Sequence, residues 1–187
     1  MGESLDKETG VSNSVSGESR SAIVIGAGEA VAAALRRDGV DTVTSFDGRL
    51  GHPKVAVFVA RDRPATSLAS ESAAAFREGM GGDLKAAFAF LKSATEVLRA
   101  GGSGGSVVFV APGSAHTAHD AARQGLRLLV KAAALELGPE HIRVNIVLPG
   151  DAVSNDDIAN AVAFLASDRA LFMTGADMVV DGGRMAR

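Results

Sequence analysis

The chain has 187 residues, 47% of them hydrophobic, which is enough for one domain with a substantial core. The net charge is only −3 and no basic block is present, which argues against nucleic acid or an anionic membrane as the partner. The sequence contains no cysteine, so disulfides, thiol catalysis and cysteine-bound metals are excluded.

Residues 1–20 are polar, are rich in serine and glycine, and lack the apolar middle of a signal peptide. We expect a disordered arm over residues 1–20 and one folded domain over residues 21–187. No apolar run approaches the roughly 18 residues of a membrane span. The expected protein is therefore cytoplasmic.

The first half of the domain alternates apolar runs with helical segments. Residues 22–25 predict a buried strand that runs into a glycine-containing turn, and residues 29–37 predict an alanine-rich helix. Strands are predicted at 40–43 and 54–60. The nearly continuous apolar character of the second of these fits a parallel sheet that is covered on both faces.

The second half continues the alternation. Long helices are predicted within 69–100 and over about 117–137, each with apolar residues on more than one face. Ser154 and Asp157 form a capping box for a further helix. The remaining strands are predicted at 107–110, 142–148 and 178–180. These elements together predict an α/β fold, a single-domain doubly wound Rossmann-type parallel sheet flanked by helices.

Two blocks of sequence resemble the short-chain dehydrogenase/reductase family closely. Residues 131–150 read KAAALELGPEHIRVNIVLPG, against a family pattern of ALAxELxP followed by IRVNxVxPG. Residues 164–183 read FLASDRALFMTGADMVVDGG, against FLxSDxAxxxTGxxxxVDGG. The resemblance covers about residues 21–183. It implies a Rossmann fold, NAD(P) as cofactor and oxidoreductase chemistry.

The positions that carry catalysis in the family hold other residues here. The resemblance places the Tyr-x-x-x-Lys pair on His119 and Arg123, and the chain contains no tyrosine at all. Asp83 stands at the position of the family's asparagine, and the nearest hydroxyl to its serine, Ser114, is out of register.

The family's tyrosine moves a proton while nicotinamide carries hydride. That role requires lowering a pKa near 10 by about 3 units. The neighbouring lysine supplies much of this shift. Histidine does not reproduce the phenol donor, and arginine differs from lysine in shape and hydrogen-bond geometry. We therefore assign no catalytic residue.

The family's cofactor loop, Thr-Gly-x-x-x-Gly-x-Gly, is reduced here to Gly26 and Gly28, which remain candidate cofactor-binding residues. Val31 occupies the third glycine position of the generic dinucleotide motif, where we expect a branched side chain to obstruct close packing of helix on strand. Asp47 is a candidate for the ribose hydroxyl, although an aspartate after a strand is more often a turn residue. The family's Asn-Asn-Ala-Gly run is replaced by FVAR at residues 58–61. We expect no cofactor, or NAD(P) if the function of the family persists.

Two segments of the family are shortened. Residues 44–53 alone separate the second predicted strand from Lys54, where the family has a helix, a strand and another helix that contact the adenine. After Pro149 and Gly150 the next helix begins almost at once, so the segment that covers the substrate is missing. We expect these losses to remove the pocket while the sheet survives.

A cluster near the start of the second long helix, His116, His119 and Asp120, has residue types that bind metals. We interpret these residues as solvated capping residues, since no further ligands are evident elsewhere. No metal site is predicted.

These observations favour a catalytically inactive pseudoenzyme that acts as a structural or regulatory subunit. In the family, the outer faces of the two long helices form a four-helix interface, which implies a homo-oligomer or a hetero-oligomer with an active family member. One alternative is an NAD(P)-dependent oxidoreductase with an atypical site that uses His119, Arg123 or Ser114. A second alternative is a nucleotide-binding sensor without turnover.

Overall fold

The computed structural model describes residues 21–46, 51–61, 67–113, 117–150 and 153–184. The strands are β1 (Ser21–Gly26), β2 (Asp41–Val43), β3 (Val55–Val59), β4 (Gly105–Val110), β5 (Ile142–Pro149) and β6 (Asp177–Val180). The helices are α1 (Glu29–Arg37), α2 (Ala73–Ala100), α3 (Thr117–Leu137) and α4 (Asn155–Ala166), with 3₁₀ turns at Gly138–Glu140 and Asp168–Ala170. The arm predicted over residues 1–20 lies outside the described residues.

The strands form one sheet in the order β2-β1-β3-β4-β5-β6, and every neighbouring pair is parallel. This order confirms the predicted doubly wound fold. Strand β2 lies at one edge of the sheet. Only residues 44–54 connect it to β3. The strand that the family places beyond β2 has no counterpart in the part of the chain that is described.

Two hydrophobic layers enclose the sheet. On one face, α2 and α3 cover a cluster that includes Phe58, Phe90 and Phe109, whose ring centroids lie 5.4–5.8 Å apart. On the other face, α1 and α4 cover a second cluster around residues such as Leu35 and Leu165. The centre of the sheet is thus buried on both sides, as its continuous apolar strands predict.

The two long helices each bury one face and expose the other. On α3, Leu126 and Val130 are fully buried, whereas Leu128 and Leu135 are exposed, which confirms two separate apolar stripes. The helices pack closely where α3 carries Gly125, since a Cβ atom there would lie 2.8 Å from Leu84 Cδ2. The described helices include none that is both long enough and apolar enough to cross a bilayer.

Helix α4 begins at the predicted cap. Ser154 Oγ accepts a hydrogen bond from the amide of Asp157 at 3.1 Å, which satisfies one free donor of the first turn. The reciprocal half differs from a capping box. The Asp157 carboxylate accepts from the Ser154 hydroxyl at 2.6 Å, whereas in a capping box it accepts from the serine amide.

Candidate functional site

The candidate site is the carboxyl edge of the sheet. In open α/β sheets, ligands bind outside the carboxyl ends of the strands, where the chain departs to opposite sides. Here β1 leads to β2 on one side, and β3 begins the run of strands on the other, so the crevice lies at the ends of β1 and β3. The ends of β4 and β5 continue the same edge.

The turn after β1 packs directly on the end of β3. Gly26 has a φ of +97°, and a Cβ atom there would lie 2.0 Å from the carbonyl oxygen of Val59. The amide of Ala27 donates to that same oxygen at 3.3 Å. At Gly28, a Cβ atom would lie 2.5 Å from Val24 Cγ1. The structure therefore brings both candidate glycines together, and contacts within the protein suffice to require them.

The start of α1 carries negative charge. Gly28 is the N-cap and supplies no side-chain hydrogen bond, and the exposed Glu29 lies in the first turn. A carboxylate there stabilises the helix through the positive end of its dipole. The same charge would repel a pyrophosphate at this helix start.

Val31 does not obstruct the packing of α1, so that expectation was wrong. Its side chain is buried in the core cluster formed with Ala22 and Val24. The close approach of turn and strand occurs one turn earlier, at Gly28. Position 31 faces a layer that has room for a branched side chain.

The end of β3 is apolar. Phe58 is buried against Phe90, and the amide of Ala60 donates to the carbonyl oxygen of Val110 at 3.0 Å. The segment that replaces the family's Asn-Asn-Ala-Gly run thus contributes packing and a sheet hydrogen bond. Arg61, which follows it, is exposed.

Arg123 joins the ends of β4 and β5. Its Nη1 atom donates to the carbonyl oxygen of Pro112 at 2.9 Å and to that of Pro149 at 2.7 Å. Pro112 lies two residues after β4, and Pro149 is the last residue of β5. The cation at the family's lysine position is therefore directed at the protein's own backbone.

Asp83 is on α2, which packs against α3, the helix that carries Arg123. It is on the buried face of α2, and the adjacent Leu84 packs on Gly125, two residues from Arg123 along α3. The position of the family's asparagine is thus held by a carboxyl group in the α2–α3 packing.

Several predicted positions cannot be placed. Asp47, Ser114 and His116 lie outside the described residues, as does the side chain of His119, although its backbone belongs to α3. Asp120 is exposed in the first turn of that helix. Among the residues whose positions are described, no three His, Asp or Glu side chains lie close enough to hold a metal ion.

The described residues do not fit the dinucleotide that the resemblance implies. Glu29 places a negative charge at the helix start. The guanidinium of Arg123 binds two backbone carbonyls. The cation for a ribose is thus engaged by contacts within the protein, and the charge at the helix start opposes a pyrophosphate.

A polar network beneath the C-terminal segment was missed by sequence reasoning. The side chain of Asn145 is 0% exposed. Its Nδ2 donates to Met173 O at 2.8 Å, and its Oδ1 accepts from Ala176 N at 3.0 Å. Nearby, Arg143 donates to the carbonyl oxygens of Leu165 and Ser167 at 2.9 and 3.2 Å. Both residues lie in the IRVN segment at residues 142–145. This family-like segment was the feature of the sequence that could have indicated their importance.

An ion cluster links α3 to β6 beside this network. Asp177 accepts from Arg127 Nη2 at 2.7 Å and Nε at 3.1 Å, and Lys131 Nζ lies 3.2 Å from the same carboxylate oxygen. Burial raises the pKa of Asp177, but hydrogen bonds from Arg127 and Lys131 and their charges outweigh it and hold that pKa below its usual value. Burial also lowers the pKa of Arg143.

Comparison with known proteins identifies relatives of this fold. A family model described as enoyl-(acyl carrier protein) reductase matches residues 41–154 and 150–184, well over half of the chain. Trans-4-hydroxycyclohexanecarboxylate dehydrogenase of Sinomonas cyclohexanicum is 32% identical over 130 residues, which is 56% of this chain and 49% of that protein. L-rhamnose 1-dehydrogenase (NAD(P)(+)) of Azotobacter vinelandii is 29% identical over 137 residues, which is 56% of this chain and 54% of that protein.

The chain spans about half the length of these curated relatives. Among solved structures, acetoin dehydrogenase from Salmonella typhimurium superposes with a TM-score of 0.80 at 24% identity. The match covers 90% of this chain and 98% of that one. At this identity, the likeness concerns the fold.

Proposed function

The chain belongs to the short-chain dehydrogenase/reductase family, and within that family we propose that it is a non-catalytic subunit that assembles through the outer faces of α2 and α3. The observation that carries this proposal is the commitment of Arg123 to two backbone carbonyls in a chain without tyrosine. Proton transfer at the family's site needs a phenol and a cation that is available to the cofactor. Neither requirement is met by the described residues.

The first proposed contact surface is the α2–α3 face, defined by Phe88 on α2 and by Leu128, Ala132 and Leu135 on α3. Phe88 is 54% exposed, Leu128 68% and Leu135 83%. The three α3 residues follow one another at spacings of four and three, so they form one stripe along the helix. Exposed polar residues such as Lys131 border this stripe, and an apolar centre with a polar rim is the usual anatomy of a protein interface.

The second proposed surface is the C-terminal patch, defined by Leu171, Phe172 and Val179. The side chain of Phe172 is fully exposed, and the other two are at least half exposed. Asn145 holds the backbone directly after Phe172 through the carbonyl of Met173. The patch is therefore presented on ordered backbone, which lowers the entropic cost of binding.

The occupant that we propose is a second family member, either another copy of this chain or an active relative. A matching pair of α2–α3 faces would bury both apolar stripes and form a four-helix interface. An isologous arrangement of this kind is the commonest symmetry of homodimers. The hetero-oligomeric form would let this chain stabilise or regulate a catalytic subunit.

The test is the mass of the protein by light scattering, with and without Leu128→Glu. We expect an oligomer for the wild type and at least about a tenfold weaker association for the variant, because a charge would enter the centre of an apolar interface. Leu68→Glu is the matched control, since Leu68 is 76% exposed and lies outside the α2–α3 face. A wild-type monomer, both alone and mixed with active relatives, would contradict the proposal.

A second candidate is an NAD(P)-dependent oxidoreductase with an atypical site. The activities of the relatives favour it, since both curated relatives above are dehydrogenases and one of them is an NAD(P)(+) enzyme. This candidate requires His119, Arg123 or Ser114 to replace the missing groups. It predicts oxidation of NADH or NADPH with a carbonyl substrate, and loss of that turnover in His119→Ala. No turnover across a broad carbonyl panel would remove this candidate.

A further inference from the structure

We propose that Arg123 stabilises the carboxyl edge of the sheet by holding the segment after β4 to the last residue of β5. The inference rests on the proposed non-catalytic function and extends it. In the family, the residue at this position would offer a cation to the ribose, whereas Arg123 links two parts of the backbone. Arg123 is therefore engaged by the protein's own backbone at the place where a dinucleotide would require a cation.

The proposal rests on the two hydrogen bonds that a single nitrogen, Arg123 Nη1, donates. Arg123 Nη1 bears two hydrogens, and it donates to the carbonyls of Pro112 and Pro149, which lie 11 and 26 residues away in sequence. One atom therefore joins the segment after β4 to the end of the neighbouring parallel strand, β5. Both bonds are partly buried, where a charged donor strengthens a hydrogen bond to a neutral carbonyl.

The backbone around each acceptor carbonyl is also held by hydrogen bonds within the sheet. Pro112 and Pro149 are buried, and each is adjacent to a residue whose amide is hydrogen bonded. Ala111 N donates to Val147 O at 3.0 Å, and Gly150 N donates to Val180 O at 2.8 Å. A Cβ atom at Gly150 would lie 2.5 Å from Asp181 Cβ, so this loop also packs tightly on the end of β6.

Arginine suits this role better than the lysine of the family's motif. The guanidinium is planar, is charged at any accessible pH, and reaches one bond farther than a lysine ammonium. A lysine at position 123 would place one compact and strongly hydrated charge short of the Nη1 position. It would not hold both carbonyls in the present geometry.

Hydrogen exchange in the intact chain, read residue by residue by NMR, tests the proposal. In Arg123→Lys we expect the amides of Ala111 and Gly150, which flank the two prolines, to exchange about tenfold faster, the factor that corresponds to losing roughly 1.4 kcal/mol of local stability. Arg123→Met keeps the stem without the charge and should give a larger acceleration. Arg127→Lys is the matched control on the same helix and should accelerate exchange at Ala176, leaving Ala111 and Gly150 unchanged.

Two results would overturn the proposal. One is unchanged exchange at Ala111 and Gly150 in Arg123→Lys. The other is an equal acceleration at a central core amide such as Val107, which would mean general destabilisation rather than a local link. If Arg123→Met does not fold, the lysine variant alone decides. Turnover by the wild type would contradict the proposed function without bearing on this result, so the two failures are distinguishable.

Discussion

The carboxyl edge of the sheet and the outer face of the α2–α3 pair differ in what their side chains contact. At the edge, the groups that could serve a ligand contact the protein itself: Gly26 packs on Val59, and Arg123 binds two backbone carbonyls. On the outer face, large apolar side chains such as Leu128 and Leu135 stay exposed among the described residues.

The two regions therefore suit different kinds of functional surface. A ligand site needs polar groups that the fold leaves available, whereas an assembly surface needs apolar groups that the fold leaves uncovered. The α2–α3 face and the C-terminal patch expose large apolar side chains, and these are the surfaces that we propose for assembly. Substitutions that perturb either region test this contrast.

The largest effect is expected for Asn145→Ala, which removes support from the C-terminal patch. It would leave Met173 O and Ala176 N without their partner, at roughly 2 kcal/mol for each buried group, so the free energy of unfolding should fall by about 4 kcal/mol. Chemical denaturation measures this loss. Asn160→Ala, on the exposed side of α4, should change stability by less than about 0.5 kcal/mol. Equal effects of the two variants would show that the patch does not depend on Asn145.

Gly26→Ala tests how tightly the turn after β1 packs on the end of β3. We expect the free energy of unfolding to fall by about 3 kcal/mol, because φ is +97° and the new Cβ would overlap Val59 O. Gly81→Ala is the control, since nothing lies within 4 Å of its Cβ position in α2. It should stabilise by up to about 1 kcal/mol. A Gly26→Ala protein of native stability would contradict the close approach of the turn to the Val59 carbonyl.

Asp177→Asn tests the ion cluster that joins the helix of one proposed surface to the strand of the other. At pH 7 it should lower the free energy of unfolding by about 2 kcal/mol, because charged hydrogen bonds to Arg127 are lost. Asp156→Asn, in an exposed ion pair with Arg37, should have an effect near zero.

The effect of Asp177→Asn should depend on pH in one direction. The folded pKa of Asp177 is lowered, so the stabilisation is complete above the unfolded value of about 3.9 and is lost as the pH falls through the folded pKa. The difference between wild type and variant should therefore shrink below about pH 4. A difference that stays constant from neutral to strongly acidic pH would assign the stabilisation to packing instead of charge.

The fold was predictable from sequence because local patterns determine it. Continuous apolar runs such as the one at β3, alternating with helices, specify a parallel sheet. The two stripes on α3 were also evident from spacing alone, since a helical period places Leu126 and Leu128 on different faces.

The site was only partly predictable, because its contacts come from distant parts of the chain. Sequence register located Arg123, but its acceptors lie on other strands and carry no signal at position 123. The error at Val31 has a similar cause. The closest approach of helix and strand is set by where the turn meets Val59, a tertiary contact that the glycine motif does not encode. Asn145 and Arg143 stood in a recognisable block, yet only the structure shows what they hold.

Calorimetric titration of the intact protein with NADH and with NADPH tests directly whether this chain has lost the cofactor site of its family. We predict no saturable binding of either nucleotide at millimolar concentration, because Glu29 places a negative charge at the start of α1 and Arg123 is bound to two backbone carbonyls. Saturable binding in the micromolar range would contradict it, and would make the atypical oxidoreductase the leading interpretation of this chain.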